Sequence, residues 1–333
     1  MLKTVMEAGK DVGWCGAVET NVTADVCKEL LDKGFVVVDG IFGRGTSETF
    51  YKELEWLYKN GHMLPNQVQF QTSGGPVILE KPNIFEADMH DSKLTKLSEI
   101  GHFRQVFENG DKLVNIFNKL VPLGLKEGQK HRTVKLQYNS GGGGCFPWHY
   151  DNPSRPNNRG LTMLVYLNSD WVQGNGGELE LLPFLERNVV IPPLMDRAVL
   201  FLSDRVLHRV LPCNSRRLCF TIWFDSATVN SDDDVFLKAK HLKPSAVDTL
   251  KSTSLQRILS RAVYREEYEQ SLLDCFGHAE GGGVESRACK ISLKLHSAHL
   301  QGLLKDDQMV EFVEYLRRLK PPVSATGESA ASS

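Results

Sequence analysis

Thr133-Val-Lys-Leu-Gln-Tyr138, Leu161-Thr-Met-Leu-Val-Tyr-Leu-Asn168, Gly177-Glu-Leu-Glu-Leu-Leu182, Arg187-Asn-Val-Val-Ile191, Arg197-Ala-Val-Leu-Phe-Leu202, Val206-Leu-His-Arg-Val-Leu211 and Arg216-Arg-Leu-Cys-Phe-Thr-Ile-Trp-Phe224 follow one another within about 90 residues. Each run is rich in β-branched, aromatic and aliphatic residues, and the series is broken by glycine, proline, asparagine and other turn formers. The gaps are too short to hold crossover helices, so the pattern predicts a sandwich or barrel of the jelly-roll kind. Helical periodicity flanks it on both sides. Thr23 stands as an N-cap before Val26, Leu30 and Leu31, Gly34 follows as a left-handed C-cap, and Phe35 to Val38 reads as a strand. A second helix is expected over 47–60, and 64–80 reads as a mobile loop or loose hairpin. Further helical patterns start near 92 and cover 111–120. After Asp225 an apolar stripe of Leu255, Ile258, Leu259, Ala262 and Val263 continues to Phe276. A last helix, 306–320, stops at Pro321-Pro322.

The expected architecture is α+β: a double-stranded β-helix (cupin-like) core with N-terminal helices and a C-terminal helical region. The expected division is a support region at 1–110, the core at 111–226, the helical region at 227–320 and a disordered tail at 321–333. The chain has 333 residues with 39 basic and 41 acidic side chains, enough length for a large core without structural staples. This near-balance, with no run of Lys and Arg, argues against nucleic acid as a partner. No apolar stretch is long enough to span a membrane and no signal peptide is visible. The seven cysteines, 15, 27, 145, 213, 219, 275 and 289, lack any C-x-x-C pair and read as reduced thiols of an intracellular, cytoplasmic or nuclear protein.

Chemistry enters with His149 and Asp151. On an extended segment, residues i and i+2 point the same way, so an imidazole and a carboxylate can reach one ion. His208, in a later strand-like run, supplies a second imidazole. Two histidines and one carboxylate form the facial triad of non-haem Fe(II) oxygenases, which leaves the opposite face of the octahedron open. Alternation in the last run sets Arg217, Cys219, Thr221 and Trp223 on one face and Leu218, Phe220, Ile222 and Phe224 on the other, so Arg216 and Arg217 point oppositely. An arginine near such a metal can clamp the far carboxylate of a dicarboxylic cosubstrate through two parallel hydrogen bonds. A competing cluster, His278 and Glu280 with His296 and His299, lies outside the strand-rich region and reads as exposed polar loop residues. Trp148, Trp171 and Trp223 read as core aromatics, and the 232–234 acidic run as a solvated helix start.

Gln137-Tyr138, His149-Tyr-Asp151-Asn152-Pro153, Tyr166-Leu-Asn168, Gly176-Gly-Glu-Leu179, Phe201-Leu-Ser-Asp-Arg205, His208-Arg-Val210 and Arg217-Leu-Cys-Phe-Thr-Ile-Trp223 together resemble the prolyl 4-hydroxylase group of 2-oxoglutarate and Fe(II)-dependent dioxygenases. The likeness is greatest to the EGL-nine-type prolyl hydroxylases, and its motifs cover about 133–226. It implies His149, Asp151 and His208 as iron ligands, Arg217 as the inward arginine that holds 2-oxoglutarate, and Tyr166 and Tyr138 as hydrogen-bond donors to that cosubstrate. It also implies O2 as the second substrate, ascorbate as reductant, and a residue, proline above all, of a protein or peptide as the target. The alternative readings are the same chemistry on a small molecule or another side chain, and a silent β-helix scaffold that binds partners. The glycine-rich Ser140 to Gly144 and the 64–80 loop depart from the family pattern.

Overall fold

Helix α1 (Trp14–Asn21) leads into α2 (Ala24–Lys33), where the Thr23 hydroxyl accepts from the Val26 amide at 3.3 Å. Gly34 ends α2 at φ 84°, and a Cβ there would come within 3.2 Å of Val206, so glycine serves both conformation and close packing. Strand β1 (Phe35–Asp39) and helix α3 (Arg44–Lys59) follow. The structure, a computed structural model, describes residues 13–72, 75–229, 246–277, 286–322 and 328–329. Of the two readings of 64–80, a mobile loop or a loose hairpin, the structure has the hairpin, in longer strands than expected: β2 (Leu64–Thr72) and β3 (Gly75–Asp88), paired antiparallel. Their polar side chains disguise them in sequence, because much of this ribbon stands away from the apolar interior. Helices α4 (Gly101–Glu108) and α5 (Asp111–Leu120) complete the N-terminal part.

Eight strands then succeed one another: β4 (Arg132–Asn139), β5 (Gly144–His149), β6 (Arg159–Tyr166), β7 (Leu179–Leu182), β8 (Val189–Ile191), β9 (Arg197–Leu202), β10 (Leu207–Cys213) and β11 (Arg217–Asp225). They form two sheets. The larger runs β1-β9-β6-β11-β4-β3-β2. In the smaller, β8-β7-β10-β5 is extended by a two-residue strand β12 (Glu328–Ser329), parallel to β8, in a tail expected to be disordered. The N-terminal region is therefore not only helical, since it donates three strands to the larger sheet. With the facing smaller sheet and an apolar interior of Leu164, Tyr166, Leu179, Leu181, Val199 and Phe201, this is the expected double-stranded β-helix.

In β11, Phe220 and Phe224 look outward to the N-terminal helices, whereas Arg217, Thr221 and Trp223 line the cavity between the sheets. Phe220 is fully buried and touches Phe42, Phe50 and Phe103 at ring-centroid distances of 5.9, 5.1 and 5.3 Å. Phe220→Ala is expected to cost about 3–5 kcal/mol by emptying that junction, measured by urea denaturation of the metal-free protein.

Past the core, α6 (Ala246–Lys251), α7 (Thr253–Val263), α8 (Arg265–Phe276), α9 (Arg287–Leu303) and α10 (Asp307–Leu319) form the C-terminal region. The 255–276 stripe breaks at Tyr264, whose hydroxyl accepts from the Leu185 amide at 2.7 Å and so ties the break to the core. Leu259, Ala262, Val263, Met309, Val313 and Leu316 pack on Trp148, Leu182, Phe184 and Leu207, so these apolar faces are covered by the smaller sheet. Cys145 of β5 and Cys275 of α8, 130 residues apart in sequence, are joined with Cα atoms 5.4 Å apart. This corrects the reading of all seven cysteines as reduced thiols; the other five form no disulfide and are buried. The acidic run at 232–234, together with His278 and Glu280, lies outside the described residues.

Candidate metal centre and cosubstrate pocket

His149 ends β5, and β10 sets His208 directly opposite it in register. Asp151 follows two residues on, and one ligand atom from each of the three lies within 4.8 Å of the others, a separation that one ion can span. The Nε2 atoms of His149 and His208 are each 3.7 Å from Asp151 Oδ1. Each imidazole Nδ1 meets a backbone carbonyl, Pro147 at 2.8 Å and Val206 at 3.1 Å. A carbonyl only accepts, so Nδ1 carries the proton and Nε2 turns its lone pair to the shared point. Thr162 donates to Asp151 Oδ2 at 2.8 Å, leaving Oδ1 for the centre. No other such cluster occurs among the described residues. His296, from the competing sequence cluster, is not exposed but buried, stacked on Tyr268.

Burial, reinforced by the facing His208, holds the His149 imidazole well below its ordinary value. Burial raises Asp151, but the two imidazoles and its hydrogen bonds outweigh this and hold it below the usual carboxylate range. Both shifts keep the donors deprotonated at neutral pH, as metal ligation requires. The unfolded chain takes up a proton on His149 near pH 6.5, whereas the folded chain does not until far lower pH. Stability of the metal-free protein should therefore fall as pH drops below about 6.5, and Asp151 adds to the loss at lower pH. Thermal denaturation at stepped pH checks this; a melting temperature that rises on acidification through that window would contradict it.

The cavity around these residues encloses about 410 Å³. Arg217 is buried at its inner end. Its Nε donates to the Gly177 carbonyl at 2.7 Å and its Nη1 to Cys219 Sγ at 3.2 Å, while Nη2 has no hydrogen-bonding partner. Among the described residues no carboxylate pairs with it. Gly177 has to lack a side chain, because a Cβ there would sit 2.7 Å from Cys213 Sγ and 2.9 Å from Arg217 Cδ. The Tyr166 ring lies 5.0 Å from the guanidinium, and its fully buried hydroxyl is also without a partner. Burial pushes that phenol up, so it stays protonated and able to donate. A buried cation without a counter-ion, beside an unsatisfied donor and a three-ligand metal cluster, fits a chelating dicarboxylate such as 2-oxoglutarate.

Tyr138 does not belong to this pocket, contrary to expectation. On β4 it pairs with outward-facing Leu218 and stacks on Tyr58 with ring centroids 3.7 Å apart. Its neighbour Gln137, opposite Cys219, has the inward position and lines the cavity. Arg216 points away from Arg217, as expected, and pairs with Glu55 at 3.0 Å. Of the tryptophans, Trp223 lines the cavity beneath Arg159, 4.0 Å from its ring, Trp148 is core, and Trp171 donates to the Gly176 carbonyl at 2.9 Å.

The mouth holds residues that the sequence did not single out. Asn66 and Lys135 both bind Glu86, the lysine at 2.7 Å. Lys81 lies 4.1 Å above the Phe146 ring, and burial pushes its ammonium down to about 8, with Glu86 only partly opposing. Asn66, Lys81 and Glu86 come from β2 and β3, where the polar pattern carried no chemical signature, and Lys135 comes from β4.

Residues 135–225 match the family model of the 2OG-Fe(II) oxygenase superfamily. A solved prolyl 4-hydroxylase from Phytophthora capsici is 34% identical, with a TM-score of 0.76 over 94% of this chain and 97% of that one. A Trichoplax adhaerens prolyl hydroxylase, solved with a hypoxia inducible factor peptide fragment, shares the fold at 23% identity and a TM-score of 0.54, over 65% and 94% of the two chains. The hypoxia-inducible factor prolyl hydroxylase of Caenorhabditis elegans is 27% identical over 209 residues, 61% of this chain; the match spans only 28% of that curated relative's length. The chain belongs to the 2-oxoglutarate and Fe(II)-dependent oxygenases. Within them it is a member of the prolyl 4-hydroxylase family, whose cofactor set is Fe(II), 2-oxoglutarate and O2.

Proposed function

We propose that the protein hydroxylates a proline residue in a peptide or protein, consuming 2-oxoglutarate and O2 and releasing succinate and CO2. The observation that carries this reading is the buried Arg217 guanidinium, without a carboxylate partner among the described residues, in the same cavity as His149, Asp151 and His208. In this reading the three side chains hold Fe(II), Arg217 receives the far carboxylate of 2-oxoglutarate, and Tyr166 donates a hydrogen bond to it. Bound Fe(II) with O2 supplies the oxidant that decarboxylates 2-oxoglutarate and hydroxylates the substrate.

The chain's own residues prepare that chemistry. The Pro147 and Val206 carbonyls orient the two imidazoles, and Thr162 orients the carboxylate. Leu164, Leu179 and Phe201 wall the pocket with apolar surface that limits water around the reacting groups. An aspartate in the carboxylate position, where related halogenases carry a small residue, favours hydroxylation. A peptide target accords with the relatives whose names specify prolyl hydroxylation and, in one structure, a bound peptide. We read 111–226 as the catalytic core, 1–110 as its support and 227–320 as a helical region whose described helices pack on the smaller sheet, with 321–333 as a tail. No described helix is long and apolar enough to cross a membrane.

The test is succinate formation from 2-oxoglutarate with Fe(II) and ascorbate, with hydroxyproline followed by mass spectrometry in added proline-containing peptides. Turnover with a mass gain of one oxygen on proline is expected. Binding of neither Fe(II) nor 2-oxoglutarate would favour the silent-scaffold alternative.

A further inference from the structure

Beside the metal cavity lies a second chamber of about 270 Å³, which shares only His149 with the residues of the proposed chemistry. Lys81, Phe146 and His149 line both spaces and form the partition between them. The far wall comes from the C-terminal helices through Tyr268, Leu272 and Leu295, so it is built by a region to which the core chemistry gives no role. Its lining is apolar except near the partition and at Arg261 and Ser292.

Lys81 stands out in that partition. Its ammonium lies over the Phe146 ring at 4.1 Å, and the Phe146 and His149 ring centroids are 6.3 Å apart, so the charge is close to the proposed metal centre. Among the described residues no carboxylate is within ion-pair distance of it. The nearby acid, Glu86, is already engaged by Lys135 at 2.7 Å and by Asn66. Across the mouth Arg159 adds a second cation, stacked on Trp223. Cations thus outnumber available acids at the mouth, and a substrate bringing a carboxylate there would meet a partly desolvated, preplaced ammonium.

We propose that Lys81 is a specificity-determining residue: it pairs with an acidic side chain of the substrate peptide near the hydroxylated residue, while the chamber behind it takes a neighbouring bulky apolar side chain. The C-terminal helices are then part of the substrate site. This inference rests on the reading of the protein as a peptide hydroxylase. The downward shift of Lys81 accords with a cation awaiting its partner. The chamber's volume suits one large side chain and not a longer segment.

The test uses a synthetic pool of peptides, each with one central proline and randomised flanks, incubated with the full chain, Fe(II), 2-oxoglutarate and ascorbate. Products are sequenced by mass spectrometry. Wild type is expected to enrich Asp or Glu at one flanking position by about 10-fold, as one charge-assisted contact allows. Lys81→Glu should transfer that preference to Lys or Arg, and Lys81→Arg should retain the acidic preference, outcomes that a merely structural lysine would not produce. Leu295→Trp, which fills the chamber from a half-buried position, should remove the preference for a bulky apolar neighbour. Equal turnover of acidic and amide-bearing peptides by wild type, or an acidic preference surviving in Lys81→Glu, would overturn the Lys81 assignment alone. Hydroxylation of no peptide in the pool would overturn the peptide-hydroxylase reading and the assignment with it.

Discussion

His208→Ala should reduce both Fe(II) affinity and succinate formation by more than about 100-fold, because losing even an outer partner of a metal ligand commonly costs about 10–100-fold. The geometry explains why no neighbour can substitute. His208 is buried, opposite His149 across the β5–β10 pair, and its removal leaves two of the three converging donors. Among the described residues no other His, Cys, Asp or Glu joins the cluster. Anaerobic metal titration and a 2-oxoglutarate turnover assay measure the two losses. His208→Ala empties a buried site beside Phe201 and removes one imidazole that favours the Asp151 carboxylate, so the metal-free variant should melt somewhat below wild type but still unfold in one cooperative transition. Loss of activity without loss of fold separates a ligand from a packing residue.

Arg217→Lys should raise KM for 2-oxoglutarate by roughly 30-fold or more, from the about 2–5 kcal/mol typical of truncating one member of a buried charge pair. Lysine keeps the charge but loses the planar fork, and its single head group cannot both hold the Gly177 carbonyl and present a bidentate face. Arg217→Met should raise KM further. It should also leave the metal-free protein as stable as wild type or more so, since a buried cation without a counter-ion is costly. Comparing KM with the melting temperature of the metal-free variants distinguishes a cosubstrate clamp from a structural arginine. A lower melting temperature with unchanged KM would contradict the assignment.

The central strands were legible because period-two apolar runs with closely spaced turn residues leave few architectures open; β9 falls on the expected 197–202, and the neighbouring strands are displaced by only a few residues. β5 was not legible: a glycine run and Pro147 interrupt the pattern of a strand whose partner, β10, lies about 60 residues away. The His149, Asp151 and His208 cluster could be assembled from residue types and strand parity, and Arg217 could be separated from Arg216 by the same parity once a family likeness chose the face. Tyr138 shows where that likeness fails. A one-residue step in β4 exchanges cavity for helix contact, and only the register with β11 reveals that Gln137 and not Tyr138 faces inward. Lys81 and the Cys145–Cys275 link depend on pairings between distant segments, for which local sequence holds no signal.

The most direct measurement is an anaerobic crystal structure of the full chain with Mn(II) and 2-oxoglutarate. One metal ion is expected within about 2.0–2.2 Å of His149 Nε2, an Asp151 oxygen and His208 Nε2, with the cosubstrate's far carboxylate on Arg217. A metal ion held by other residues, or 2-oxoglutarate bound away from Arg217, would contradict the account.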